Sequence, residues 1–226
     1  MNKIFAVALA CVTLVACTTT NTKVADLGGS KPPANAKVLT LNPDVSLSLL
    51  TASGLLEPRD DWSKSVQTNL SSEVAKALEA KSHSLKAMDQ QDAMNGRVGQ
   101  MFRLNEAVGT SIRTYGPLLP TKKGKFDWTL GEGAQVLGAT YGADYALFVS
   151  ARGSYASGGR TLAFIGMAAL GVGIPMGQQQ AYASLVDLKS GQVIWFNTIL
   201  AGSGTDMREP AGAKSIVGSL LKDLPL

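Results

Sequence analysis

The sequence predicts one α/β (α+β) domain, in which helices pack on a single mixed sheet. Some segments alternate apolar and polar residues, as half-buried strands do, and longer ones repeat apolar residues at three- and four-residue steps, as amphipathic helices do. Of the 226 residues, 45% are hydrophobic. This supplies enough apolar surface for one core, and the length fits one domain preceded by an N-terminal extension.

The first predicted elements are a strand and a helix, and the folded part begins near Val38. Val45, Leu47 and Leu49 alternate with serines, which predicts the strand. The helix opens at residues 58–61, where two aspartates suit the positive end of the helix dipole. Its apolar stripe consists of Trp62, Val66, Leu70, Val74, Ala77 and Leu78.

The middle of the chain predicts a short strand over residues 85–88 and two further helices. Gly116 and Pro117 end the second helix. Asp127 is predicted to cap the third helix, which Gly142 closes. The apolar positions are Met94, Val98, Met101, Val108, Ile112 and Tyr115 in the second helix, and Leu130, Ala134, Leu137 and Tyr141 in the third.

The last third predicts three strands and a helix. Residues 145–152 form a strand, with Tyr145, Leu147 and Val149 on one face. Residues 182–200 read as a hairpin, because residues 187–192 carry the Asp, Ser and Gly typical of a short turn. Pro210 opens the final helix, whose apolar face consists of Ile216, Val217, Leu220, Leu221 and Leu224.

The N-terminus has the pattern of an export signal. Lys3 precedes an apolar stretch over residues 4–15, too short to span a bilayer, and residues 14–17 read Leu-Val-Ala-Cys. This resembles the lipobox of bacterial lipoproteins. The resemblance implies that residues 1–16 are a cleaved signal peptide and that Cys17 carries diacylglycerol and palmitate. Cys11 is the rival cysteine, and an ordinary secretory signal is the alternative.

Residues 17–37 are rich in Thr, Gly, Pro and Ala, which predicts a flexible tether between the lipid and a domain over residues 38–226. Removal of Lys3 with the signal lowers the net charge from +4 to +3, too little to favour nucleic acid. No free cysteine then remains for a disulfide, and His83 is the only histidine. We therefore expect no metal site built from His and Cys, and no cofactor.

Residues 154–179 carry an unusual apolar segment, since residues 162–176 contain no charged side chain. Three interpretations stay open: a buried crossover between strands, an exposed surface that docks on a partner or another copy, and partial membrane insertion. Arg160, Phe164 and Leu170 are the candidate residues for partner binding or oligomerisation.

Catalytic patterns are incomplete. The glycines of residues 131–138 lack the preceding strand that a dinucleotide fingerprint requires. Residues 189–191 and 219–222 match two motifs of penicillin-recognising enzymes, but in the wrong order. Asp60, Asp61, Asp144 and Asp187 each have a local structural role at an element end. We therefore expect a binding protein and no enzyme.

Two short stretches carry a resemblance to known families. Residues 142–148 enter a strand, and residues 185–195 form the predicted hairpin. With the lipobox, the tether and the element order, they resemble the envelope lipoproteins built on the domain of the curli-secretion lipoprotein, the penicillin-binding-protein activator lipoproteins and the first domain of the Tol propeller protein. The resemblance implies a lipid-anchored outer-membrane protein that faces the periplasm.

The same resemblance implies a binding, assembly or regulatory module of the envelope that acts through protein–protein contacts. An envelope hydrolase and a subunit of a curli-like secretion ring are the alternatives, so self-association stays open. The partner is an unidentified envelope protein.

The anchor is testable by replacing the sulfur. Because only a thiol accepts the lipid, we expect Cys17→Ser to yield an uncleaved or soluble form. Thr18 does not match the aspartate that retains lipoproteins at the inner membrane, so the parent is expected in the outer membrane. Cell fractionation measures both, and a Cys17→Ser protein that remains in the outer membrane would contradict the prediction.

Overall fold

An eight-stranded mixed sheet lies at the centre of the computed structural model, which describes residues 19–26, 32–81, 84–88, 95–202 and 205–226. Its spatial order is β1-β8-β7-β6-β2-β5, and β3 with β4 continues from β6. The strands are β1 (Thr19–Val24), β2 (Lys37–Thr40), β3 (Asp44–Leu50), β4 (Leu56–Pro58), β5 (Ser84–Ala87), β6 (Tyr145–Ala156), β7 (Gln179–Asp187) and β8 (Val193–Ala201).

Strand β6 is the longest of the described strands, and two successive strands, β2 and β3, pair with the same edge of it. Val38 to Thr40 of β2 pair in parallel with the start of β6, and β3 pairs in parallel with its end, from Asp44 opposite Ser150 to Leu50 opposite Ala156. Residues 41–43 lie between the two ladders. Pro43 has no backbone N–H to donate, so the break falls where the ladder cannot continue.

Helices cover both faces of this sheet. Helices α1 (Asp60–Glu79) and α5 (Pro210–Leu220) pack on one face, and α2 (Gly96–Thr114) with the short α3 (Gln135–Tyr141) packs on the other. Alternation along β6 divides the core, since Leu147 and Val149 join the α1–α5 side and Phe148 joins the α2–α3 side. Helix α4 (Gly158–Ala169) covers neither face.

The predicted fold class is confirmed: helices pack on one mixed sheet. The strand at residues 45–49, the hairpin and the final helix lie where the sequence predicted them. Among the described helices, none has the length and apolar character needed to cross a membrane.

The third helix is shorter than predicted. It was expected from Asp127 to Tyr141 but begins at Gln135, after a 3-10 turn over Glu132–Ala134. Residues before the turn pair with the β7–β8 hairpin instead: the N–H of Leu130 donates to the carbonyl of Gly191 at 2.8 Å. Asp127 accepts a bond from Lys122 and caps no helix.

The predicted tether over residues 17–37 is corrected at Thr19–Val24, which forms β1. This strand pairs antiparallel with β8, from Thr19 opposite Leu200 to Val24 opposite Trp195. Threonine and valine favour extended backbone, and β8 would otherwise expose an unpaired edge. Composition alone does not show that β8 has a free edge with which this segment can pair, so the sequence predicted a flexible tether.

The hairpin turn depends on Gly191, and a matched pair of variants tests this. Gly191 has a φ of +75°, and a Cβ there would lie 2.0 Å from the carbonyl oxygen of Gly131. Gly142 has a φ of +62° and open space around it. We expect Gly142→Ala to cost about 1–2 kcal/mol of unfolding free energy from conformational strain alone, and Gly191→Ala to cost clearly more. Denaturant unfolding of both variants measures this, and equal losses would contradict it.

Candidate functional site

A cleft opens where β2 ends and β3 begins. Its volume is about 410 Å³, and it lies between the break at residues 41–43 and one side of α2. The apolar lining comes from Leu41, Met88, Phe102 and Phe148, with the rings of Phe102 and Phe148 in edge contact at 5.5 Å between centroids. The cleft therefore offers a site for an apolar group.

The polar wall of the cleft is centred on Glu106 of α2. The hydroxyl of Tyr182 donates to Glu106 Oε2, and Ser150 Oγ lies 3.4 Å from the same oxygen. Asn105, which is 5% exposed, accepts a bond from Ser184 Oγ at 2.8 Å. These bonds join α2 to β6 and β7, so the polar groups of the wall are held in place by the sheet.

Arg152 links two carboxylates at the rim. Its guanidinium contacts Asp44 Oδ2 at 2.5 Å and Glu106 Oε1 at 3.3 Å, and it donates to the carbonyl of Asp44 at 2.7 Å. Burial opposes the positive charge, but the bond to Asp44 raises the pKa of Arg152 above its ordinary value. A charged arginine thus ties the start of β3 to α2 across β6.

Tyr182 is held tightly beneath this network. Its ring stacks on Phe196 at 6.0 Å between centroids, and the guanidinium carbon of Arg113 lies 4.2 Å from its ring centre. A Cβ at Gly109 would lie 3.2 Å from Tyr182 Cε2, so a glycine lets α2 approach. Burial, and then the bond to Glu106, raises the pKa of Tyr182 to about 12.

A second surface lies at the far end of β6. Helix α4 exposes large apolar side chains, with Leu162 72% and Ile165 60% exposed, and Leu170 follows at 77%. Leu55, in the β3–β4 turn, and Leu56, the first residue of β4, are 68% and 60% exposed. We call these five residues, with Met167 and Val172, the apolar end surface.

Arg160 holds this surface together. Its Nε donates to the carbonyl of Pro175 at 3.0 Å, and its Nη1 lies 3.4 Å from the carbonyl of Ala52 in the β3–β4 turn. Ser157 caps α4 by accepting the N–H of Arg160 at 3.1 Å. The Arg160 guanidinium therefore connects the start of α4 with Pro175, at the end of the apolar segment, and with the neighbouring β3–β4 turn.

The residues that the sequence predicted as sites have different environments in the structure. Cys17 and His83 lie outside the described residues. Arg160 bonds to backbone carbonyls, Phe164 is half-buried, and Leu170 is exposed. None of the twelve described residues of α4 is buried, so the interpretation of this segment as a buried crossover is wrong.

The cleft residues were missed by sequence analysis. Glu106 and Arg152 are separated by 46 positions, and only the pairing of β6 with β3 and the packing of α2 bring them together. The one local signal was a lone acidic residue on the buried side of α2, between Met101 and Val108. The four aspartates weighed as catalytic candidates lie elsewhere: Asp144 accepts the N–H of Lys37, and Asp187 accepts two N–H groups of its own turn.

Within the described residues, no group of three or more His, Cys, Asp or Glu side chains is arranged to hold a metal ion.

Comparisons with known proteins give no family. No family model matches the chain, and no curated protein matches it. Among solved structures, the PelC dodecamer from Paraburkholderia phytofirmans is 11% identical, over 91% of this chain and 95% of that one, with a TM-score of 0.43. A second dodecamer, of a PelC variant from the same organism, is 11% identical over 91% and 96%, with a TM-score of 0.41.

Tyrosine ionisation tests the environment of Tyr182. Because the pKa of Tyr182 is raised to about 12 from an ordinary value near 10, the unfolded state loses this proton first. The unfolding free energy should therefore fall as the pH rises from about 10 to about 12. We expect Tyr182→Phe to lose a late component of the alkaline absorbance titration and to flatten that fall.

The matched control is Tyr115→Phe, since Tyr115 is 54% exposed and lies outside the cleft. It removes a tyrosine hydroxyl without touching the contact with Glu106, so it measures the effect of losing a hydroxyl elsewhere in the domain. A Tyr182→Phe protein that titrates as the parent does would contradict the assignment.

Proposed function

We propose that this chain is a lipid-anchored outer-membrane protein facing the periplasm, and that it acts by binding an envelope protein rather than by catalysis. The lipobox at residues 14–17 supports the anchor. The cleft beside α2 supports the binding role, because it combines an apolar floor with fixed hydrogen-bonding groups.

The observation that carries the proposal is the composition of the cleft. Phe102 and Phe148 provide an aromatic floor, while Asn105, Glu106 and Ser150 provide a polar wall next to it. About 410 Å³ lies near the small end of the range for ligand pockets, about 300–1,000 Å³. Such a volume suits one or two apolar side chains of a partner, with a backbone N–H directed at the Glu106 carboxylate.

The rim of the cleft suits a protein partner. Asn42 and Arg103 are exposed at its edge, where they can bond to a partner's backbone and side chains. Interfaces commonly consist of an aromatic or apolar anchor in a pocket surrounded by a polar rim. The envelope hydrolase is the alternative, because Glu106 places a carboxylate in the same cleft.

Photocrosslinking in intact cells tests the binding role. A photoreactive residue at Arg103, on the rim, should give one discrete protein adduct. The same residue at Lys214, exposed on α5 on the opposite side of the sheet, should give none. Phe102→Ala should remove the Arg103 adduct, because it deletes half of the aromatic floor.

Leu104→Ala is the matched control, since Leu104 lies on α2 with 36% exposure and does not line the cleft. It should keep the adduct, and thermal melting should show that both variants fold. Equal adducts from Arg103 and Lys214 would contradict the proposal, as would an adduct that survives Phe102→Ala. A purified protein that cleaves envelope polymers and loses this activity in Glu106→Gln would favour the hydrolase.

A further inference from the structure

The direction of β1 shows where the N-terminal extension leaves the domain. Thr19 pairs with Leu200, near the end of β8, and the chain then runs towards Val24 opposite Trp195. Because the pairing is antiparallel, Thr19 lies at the end of the sheet towards which β8 runs, near Ala201. The N-terminal extension is therefore joined to the domain at this end of the sheet.

The apolar end surface lies at the same end. Leu200 pairs with Gln180, and Gln180 pairs with Arg152, so Thr19 and Arg152 lie on one row across the sheet. Strand β6 continues past Arg152 to Ala156 and leads into α4. Leu50 pairs with Ala156, which brings the β3–β4 turn to the same place.

Strand geometry gives the approximate distance between the start of β1 and the start of α4. Residues 153–156 carry β6 about 13 Å beyond the shared row, and β1 lies three strand spacings, about 14 Å, to the side of β6. Cys17 is two residues before Thr19 and so lies at most about 7 Å from it along an extended chain. A membrane holding a lipid on Cys17 would therefore pass close to α4.

The projecting end of β6 is held firmly. The hydroxyl of Tyr155 donates to Gln179 Oε1 at 2.6 Å. The guanidinium carbon of Arg208 lies 3.7 Å from the ring centre of Tyr155 and 4.6 Å from that of Trp62 on α1. These contacts, together with the hydrogen bonds of Arg160, hold α4 in a fixed position at the end of the sheet.

The chemistry of α4 suits lipid. Helices that are apolar around most of their circumference are normally buried in protein or in membrane, yet no described residue of α4 is buried. Residues 161–176 carry no charged side chain. At twelve residues the helix is about 18 Å long, too short to cross a bilayer but suited to lie within its interface.

We infer that the apolar end surface, formed by α4 and the β3–β4 turn, inserts into the interface of the membrane that holds the lipid on Cys17. It is a second membrane contact that fixes the orientation of the domain. This inference rests on the lipid anchor of the proposed function. The cleft beside α2 is lined by Phe148 and Ser150, which lie back from the end of β6, and it stays open to a partner.

Depth-dependent quenching tests the contact in the lipidated protein. With Cys11 removed and Cys17 blocked by lipid, a single introduced cysteine can be labelled with a fluorophore. The labelled sites are Leu170→Cys on the apolar end surface and Ser190→Cys in the β7–β8 turn at the opposite end. The protein is reconstituted in vesicles of phosphatidylethanolamine and phosphatidylglycerol that contain a lipid with a quencher near its headgroup.

We expect quenching at residue 170 to exceed that at residue 190 several-fold, and Leu162→Asp with Ile165→Asp to abolish the difference. Equal quenching at the two sites would overturn the inference. So would a label at residue 170 that is shielded from water but not reached by the lipid quencher, because the occupant would then be a protein or a second copy. Mass spectrometry of the N-terminal peptide shows separately whether Cys17 carries lipid, so a failed anchor is distinguished from a failed contact.

Discussion

The pairing of one long strand with two short ones determines where both candidate surfaces lie. Strand β6 has twelve residues, and β2 and β3 share a single edge of it. The ladder is interrupted at Pro43, and the cleft opens at that interruption. Because β3 accompanies β6 to its end, the strand also projects beyond the rest of the sheet and supports α4. A shorter β6 would not carry α4 and its apolar end surface, and an unbroken ladder along β6 would close the cleft.

Most helices and strands could be predicted because their signals are local. The stripe of Val66, Leu70, Val74 and Leu78 is buried as its spacing required, and the Asp187 turn forms as its residues indicated. Strand β1 and the start of α3 could not be predicted in this way. Both depend on a distant partner, β8 in one case and the β7–β8 turn in the other, and the pattern of a single segment does not reveal which edge will be free.

The candidate site was less accessible to sequence analysis for the same reason. Glu106, Arg152 and Asp44 come from three separate elements, and their ionic contacts exist only after the sheet has formed. The apolar segment was visible as composition, but its exposure was not. An apolar run is usually core, and here it is not, because β6 carries it past the layer of helices that would have covered it.

The placement of β1 has a mechanical consequence. Any pull on the N-terminus enters the domain at Thr19 and acts along the strand, while the ladder bonds to β8 run across it. The load is therefore shared in shear by the whole ladder from Thr19 to Val24, and the N–H of Ala25 adds a further bond to the carbonyl of Ile194. A strand loaded in this way cannot be peeled off one bond at a time. Tension at the N-terminus is thus borne by the central sheet, and β1 acts as a mechanical clamp.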